Sequence, residues 1–205
     1  MLVRPQIFWV LVVTTTLHVA PARADGATFA FQAGFTKLAL EGFDSIDGTG
    51  PSLRAQAGWL VRRGFAIAGY GRYQQASAVE WLDPGEADYA VRQVEVGAAL
   101  ELRASRLTFA VTGGFAYQHE QYSYDEDGWG INSAGTRSHY GSAFGVRIGV
   151  DVARFATWRV QILGELETMS LSGTRAPQTN SYGELVDAHT TESGTASTLA
   201  IGVAY

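Results

Sequence analysis

Residues 139–151, HYGSAFGVRIGVD, carry the alternation that decides how this chain folds. Tyr140, Phe144, Val146, Ile148 and Val150 fall on every second position, with only Ser142 breaking the bulky series. Between them stand His139, Gly141, Ala143, Gly145, Arg147, Gly149 and Asp151. A period of two belongs to a strand, whose successive side chains point to opposite faces. Here the uncharged face is the bulky one, and the opposite face mixes glycine and alanine with charges of both signs. A strand buried in lipid on one side and facing a narrow polar lumen on the other needs that polarity.

The same pattern recurs outward in both directions. Upstream it appears in residues 28–36, 53–62, 65–74, 93–103 and 107–118, and downstream in 158–167 and 198–205. Phe29, Phe31 and Phe35 oppose Thr28, Gln32 and Thr36. Trp158, Val160, Ile162 and Leu166 oppose Arg159, Gln161, Glu165 and Glu167. Each segment has about ten residues, which is what a tilted strand needs to cross a bilayer. Connections alternate in length: 62–64, 104–106 and 153–157 are tight, whereas 41–51, 75–90, 119–138 and 172–192 are long. A soluble barrel of this size would carry its large aliphatics inside and its charges outside. The expected fold is therefore all-β, an eight-stranded antiparallel up-and-down transmembrane β-barrel with short turns at one end and long loops at the other. Trp59, Phe65, Trp158 and Tyr205 fall near the short-turn ends, and Tyr73, Tyr89, Tyr117 and Tyr140 near the long-loop ends, as interfacial aromatic girdles do.

The first residues read as an export signal. Arg4 precedes an apolar stretch at 7–19, and Ala22-Arg23-Ala24 matches a small-x-small cleavage site. Thirteen residues are short for a membrane-spanning helix, which needs roughly 20. The expected organisation is a cleaved signal peptide at 1–24 and a barrel at 25–205. Loss of Arg4 and Arg23 takes the formal charge from −5 to about −7. The chain has no cysteine, which excludes disulfides, thiolate metal sites and cysteine nucleophiles.

This layout resembles the eight-stranded outer-membrane barrel superfamily of OmpA-like and OmpX/Ail-like proteins, over nearly the whole of 25–205. The terminal Leu199-x-Ile201-x-Val203-x-Tyr205 resembles the signal read by the barrel assembly machinery in that group, with Tyr in place of the commoner Phe. The resemblance implies residence in the cell outer membrane among lipid and lipopolysaccharide.

Function is less legible. The positions assigned to the lumen include Arg54, Arg62, Arg72, Arg92, Glu95, Glu101, Arg103, Arg147, Asp151, Arg159, Glu165 and Glu167. An eight-stranded interior is just wide enough for side chains to fill, and buried charges must pair. That combination predicts a salt-bridged plug; a small-solute channel is the alternative. The long connections carry Glu41, Asp44, Asp47, Glu80, Asp83, Glu86, Asp88, Glu120, Asp125, Glu126, Asp127, Glu184, Asp187 and Glu192 against only Arg137 and Arg175. Such a surface repels nucleic acid and sulfated glycans, so no nucleic-acid partner is expected, while an extracellular ligand at the loops remains open. Asp125-Glu126-Asp127-Gly128 offers oxygen donors without the spacing of a calcium loop, and Trp81, Leu82 and Trp129 are read as loop packing.

No catalytic, cofactor-binding or metal site is assigned, and no cofactor is expected. His139 and Ser142 fall on opposite faces of one strand, the His-x-Ser-Asn of lipid A deacylases is absent, and His119 has no serine partner by spacing. Hydrolase and phosphate-loop motifs are missing. The expectation is a non-enzymatic outer-membrane barrel with acidic extracellular loops, contributing to envelope integrity or surface interaction. The alternative from another class is a lipid A-modifying enzyme, of deacylase or acyltransferase type, using His119 or His139.

Overall fold

The structure, a computed structural model, describes residues 26–41, 46–62, 64–82, 85–125, 132–174, 178–179, 185–186 and 189–205. The expected signal segment at 1–24 lies outside them. Eight strands close a barrel: β1 (Ala27–Glu41), β2 (Ile46–Arg62), β3 (Phe65–Leu82), β4 (Gly85–Ala104), β5 (Leu107–Asp125), β6 (Asn132–Phe155), β7 (Trp158–Thr174) and β10 (His189–Ala204). The order around the barrel is β1-β10-β7-β6-β5-β4-β3-β2, every neighbour pair antiparallel, with β1 closing on β10 from Ala30↔Ala204 to Glu41↔Ser193. A two-residue ribbon, β8 (Gln178–Thr179) with β9 (Leu185–Val186), lies within the fourth long connection and has no counterpart in the sequence expectation.

The faces follow the expected alternation through the central belt. Phe31, Phe35, Val96, Leu102, Phe115, Phe144, Ile148, Leu166, Leu199 and Ile201 are each more than half exposed, far more apolar surface than water would tolerate. Their inward neighbours Gln32, Thr36, Glu95, Glu101, Ala143, Arg147 and Glu165 are buried. A barrel satisfies every backbone donor and acceptor between strands, so this exterior is suited to hydrocarbon. Trp158 lies against Tyr205 at 5.3 Å between ring centroids, at the short-turn end.

The tight turns are two residues long where the pairing defines them. Ser105 and Ala156, each first in its turn, have φ of 55° and 52°. β6 runs on to Phe155 through a register shift between Asp151 and Ala153, so the connection expected at 153–157 shrinks to Ala156 and Thr157.

The larger difference is at the other end. The strands run 15 to 24 residues, not ten, and much of what was expected as long loops is paired strand. Outward apolar residues stop near Phe35, Tyr73, Val94, Tyr117, Tyr140, Leu166 and Leu199. Above them the outward positions become polar: Lys37, Gln75, Arg92, His119, Ser138, Thr168 and Ser197. Many inward positions at this height become apolar: Leu38, Leu40, Ala76, Tyr89, Val91, Met169, Leu171 and Ala196 pack into one cluster with Ala116 and Ala143, while Gln118 and His139 on β5 and β6 stay polar. Hydrogen-bonded hairpins thus rise past the lipid belt into water, and their polarity turns over because their surroundings do. Three expectations are corrected by this. Tyr89 is buried in the cluster and is not a girdle residue; Arg92 is exposed on the outer face and is not luminal; Arg62 is exposed at the short-turn end.

Candidate functional site

The lumen is filled in layers. Nearest the short turns, Asp151 accepts from Arg154 at 2.7 and 2.9 Å and from Gln161 at 2.7 Å. One layer up, Glu101 accepts from Arg147 at 2.5 Å, from Gln56 at 2.8 Å and from Arg103 at 2.8 Å. The central layer joins Arg54 to Glu165 at 2.6 Å and Arg72 to Glu95 at 2.5 Å, with Glu167 also bonded to Arg72 and the Tyr70 hydroxyl donating to Glu95. Arg54 stacks on the Tyr70 ring at 3.7 Å. Four arginines, Arg54, Arg72, Arg103 and Arg147, meet four glutamates, Glu95, Glu101, Glu165 and Glu167, so the formal charges of this group balance. The space enclosed by Gln32, Ser52, Arg54, Arg72, Arg147 and Glu165 amounts to about 10 Å³, room for roughly one water. Above lies the apolar cluster. The sequence-assigned luminal residues are brought together as a plug, apart from Arg62 and Arg92.

At the top of the lumen a second polar group appears, of which the sequence reading had placed His139 inward on a strand and Glu120, Arg137 and Glu192 in the long connections. Glu120 on β5, Arg137 and His139 on β6, and Glu192 on β10 are all buried and all face inward. Arg137 Nη1 lies 3.8 Å from Glu120, and His139 Nε2 lies 3.3 Å from Glu192. Arg137 also stands over the Tyr122 ring at 4.7 Å. The signal that would have found them is parity. Glu120 continues the inward series Ala116, Gln118; Arg137 continues His139 and Gly141; Glu192 continues Thr198 and Ala200. Of the other expected loop acids, Asp47 is exposed and paired with Lys37 at 2.9 Å, and Asp88 is exposed. The side chains of Glu41, Glu80, Trp81, Leu82, Glu86 and Asp125 lie outside the described residues, as do Asp44, Asp83, Glu126, Asp127, Trp129, Arg175, Glu184 and Asp187 altogether.

The histidines separate as alternation demands. His139 faces the lumen, and Ser142 lies on the other face, paired across from Phe115. His119 is outward, and the structure supplies a serine that spacing could not: Ser138, its cross-strand partner on β6, stands 3.1 Å from His119 Nδ1 and 3.1 Å from the Tyr117 hydroxyl.

A closed antiparallel barrel, apolar outside over a central belt and charge-paired within, is a transmembrane β-barrel of the outer-membrane type. Comparison with solved structures gives the same architecture. The chain is similar to Ail, the attachment invasion locus protein of Yersinia pestis, at 11% identity and TM-score 0.51, over 88% of this chain and 99% of that one. It is similar to a major outer membrane protein from Thermus thermophilus at 14% identity and TM-score 0.51, over 87% of this chain and 98% of that one. Neisserial surface protein A matches at 15% identity and TM-score 0.49, over 87% and 97% of the two chains. No family model and no curated protein sequence matches the chain. The fold is thus that of the small outer-membrane barrels.

Proposed function

We propose that the chain is a non-catalytic integral protein of the outer membrane whose extracellular end contributes to envelope integrity or surface interaction. The observation that supports this is the filled lumen. With charges paired through its lower half and Leu38, Leu40, Val91, Met169 and Leu171 packed above them, little space remains for a solute path. The parts left to act are the lipid-facing wall and the rim. Lys37, Arg92 and His119 lie on the first polar ring above the apolar belt, the level at which lipid and lipopolysaccharide headgroups meet a barrel. The acids expected in the long connections, with exposed Asp47 and Asp88, are the surface offered to an extracellular ligand. Assembly through the barrel machinery is read from the terminal alternation ending at Tyr205. The test is a deletion strain complemented with wild type or with an Asp88→Asn/Arg92→Ala rim variant, scored for entry of a bulky antibiotic and for surface adhesion. Wild-type behaviour of the deletion strain in both assays would refute the proposal.

A second reading is favoured by the 3.1 Å contact between His119 and Ser138 at the lipid interface. A base beside a hydroxyl is the minimum for acyl transfer from a membrane lipid. No carboxylate orients His119 among the described contacts, which weighs against it. Mass spectrometry of lipid A separates the readings. A change of one acyl chain that depends on Ser138 would establish the enzyme, and an unchanged profile would remove it.

A further inference from the structure

The buried group at the top of the lumen has a composition that neither the plug nor the rim explains. Glu120, His139 and Glu192 come from three different strands, and one donor atom from each lies within 4.8 Å of the others. Their exposures are 0%, 0% and 5%, so these are not the solvated acids of a loop surface. We propose that they form a binding site for a divalent transition ion of the zinc type.

Three features carry this. The first is the donor set. One imidazole nitrogen with two carboxylates suits zinc and its first-row neighbours, whereas calcium and magnesium take oxygen alone. The second is spacing. In a tetrahedral zinc site with bonds of about 2.0–2.1 Å, neighbouring donors stand roughly 3.3 Å apart. His139 Nε2 and Glu192 Oε1 are at 3.3 Å already. The Glu120 carboxylate lies within 4.8 Å of both, and a bound ion would draw it closer.

The third is how the fold places the ring. His139 and Glu192 are separated by β7, where Gly173 pairs with His139 on β6 and Leu171 pairs with Glu192 on β10. A Cβ at Gly173 would stand 2.1 Å from His139 Cδ2 and 2.8 Å from its Nε2. The imidazole therefore lies across the backbone of β7 and reaches toward β10, which any other residue at 173 would prevent. Arg137 stands beside the group, its Nη1 3.8 Å from Glu120. Three protein donors leave a fourth position for water or a ligand from the extracellular side.

The test uses the untagged barrel, folded in detergent and stripped of metal, titrated with ZnCl₂ by calorimetry and with CaCl₂ in parallel. The expected result is about one zinc ion per chain, weakened roughly 100-fold or more by His139→Gln and by Glu192→Gln. Heat-modifiable gel migration establishes that each variant is folded. X-ray absorption at the zinc edge of the wild type, which needs no variant, is expected to show one nitrogen-type and two carboxylate ligands. Any of three outcomes overturns the site: no zinc bound by the folded wild type, which leaves His139 and Glu192 as a contact within the protein alone; zinc retained in both variants, which puts the ion elsewhere; or calcium bound as tightly as zinc.

Discussion

Replacing Glu101 by glutamine removes a charge from the lumen while keeping side-chain size, so the loss is electrostatic and no cavity contributes. Glu101 serves three partners of unequal consequence. Gln56 is neutral, and losing a charged acceptor there costs about 1 kcal/mol. Arg103, at 17% side-chain exposure, sits at the short-turn end and can turn toward water, so its pair contributes about 1 kcal/mol at most. Arg147 has no such escape at 1% exposure, and Glu101 is its bonded carboxylate at 2.5 Å. Breaking a buried pair costs about 3–5 kcal/mol, so the variant should lose that much in all, the larger part of it through Arg147. The assay is urea unfolding of the vesicle-inserted barrel followed by tryptophan fluorescence, with gel migration as the check on folding. Adding Arg147→Met should restore most of the loss, because an apolar pair of similar volume is tolerated where a lone charge is not. The coupling energy from the double-mutant cycle should be about 2 kcal/mol or more. A loss below about 1 kcal/mol for the single variant, or a coupling near zero, would refute the view that paired charge holds this interior together.

The wild-type barrel in a planar bilayer should show no steady large conductance, since the enclosed space among the central charges is about 10 Å³; a stable open level would overturn the plug. Gly173→Ala should destabilise by about 1–3 kcal/mol, because the new Cβ meets Ser138 O at 2.6 Å as well as the imidazole. Gly164→Ala should be within about 0.5 kcal/mol of wild type, since nothing lies within 4 Å of that Cβ, and unfolding midpoints check the pair. Ala156→Gly removes the Cβ that makes a left-handed φ of 52° costly and should raise stability by up to about 1 kcal/mol; a clear loss would mean the methyl group packs usefully.

The lipid-facing half of the fold was legible because two constraints coincide there. Strand geometry fixes the period, and hydrocarbon fixes which face is bulky, so Phe29 to Phe35 or Tyr140 to Val150 admit one reading. The tight turns were legible to within a few residues, and the luminal pairs were legible as a class of interaction. Which arginine meets which glutamate was not, because Arg54 and Glu165 are separated by 111 positions and are matched only by shear around the closed barrel. The His119–Ser138 contact was hidden for the same reason, since it crosses between β5 and β6 at a register that the length of the connecting segment sets.

The upper part of the barrel was misread for a reason that is physical. Strand ends were placed where bulky outward residues ceased, which is a criterion for the edge of the lipid and not for the end of the sheet. Above Phe35 the outward residue is Lys37 and the inward ones are Leu38 and Leu40; above Val94 the outward residue is Arg92 and the inward one Val91; above Leu166 the outward ones are Thr168 and Ser170 and the inward ones Met169 and Leu171. Period two persists while its phase inverts, which is the polarity of a soluble barrel standing on a membrane one. A reading that tracked parity alone would have carried Glu120, Arg137 and Glu192 inward with their neighbours, as it did His139. It would also have placed Glu120 and Glu192, both buried, inside the barrel at the end of the long connections. That placement matters for function, because buried carboxylates need a positive partner of fixed geometry, whereas loop acids need only water.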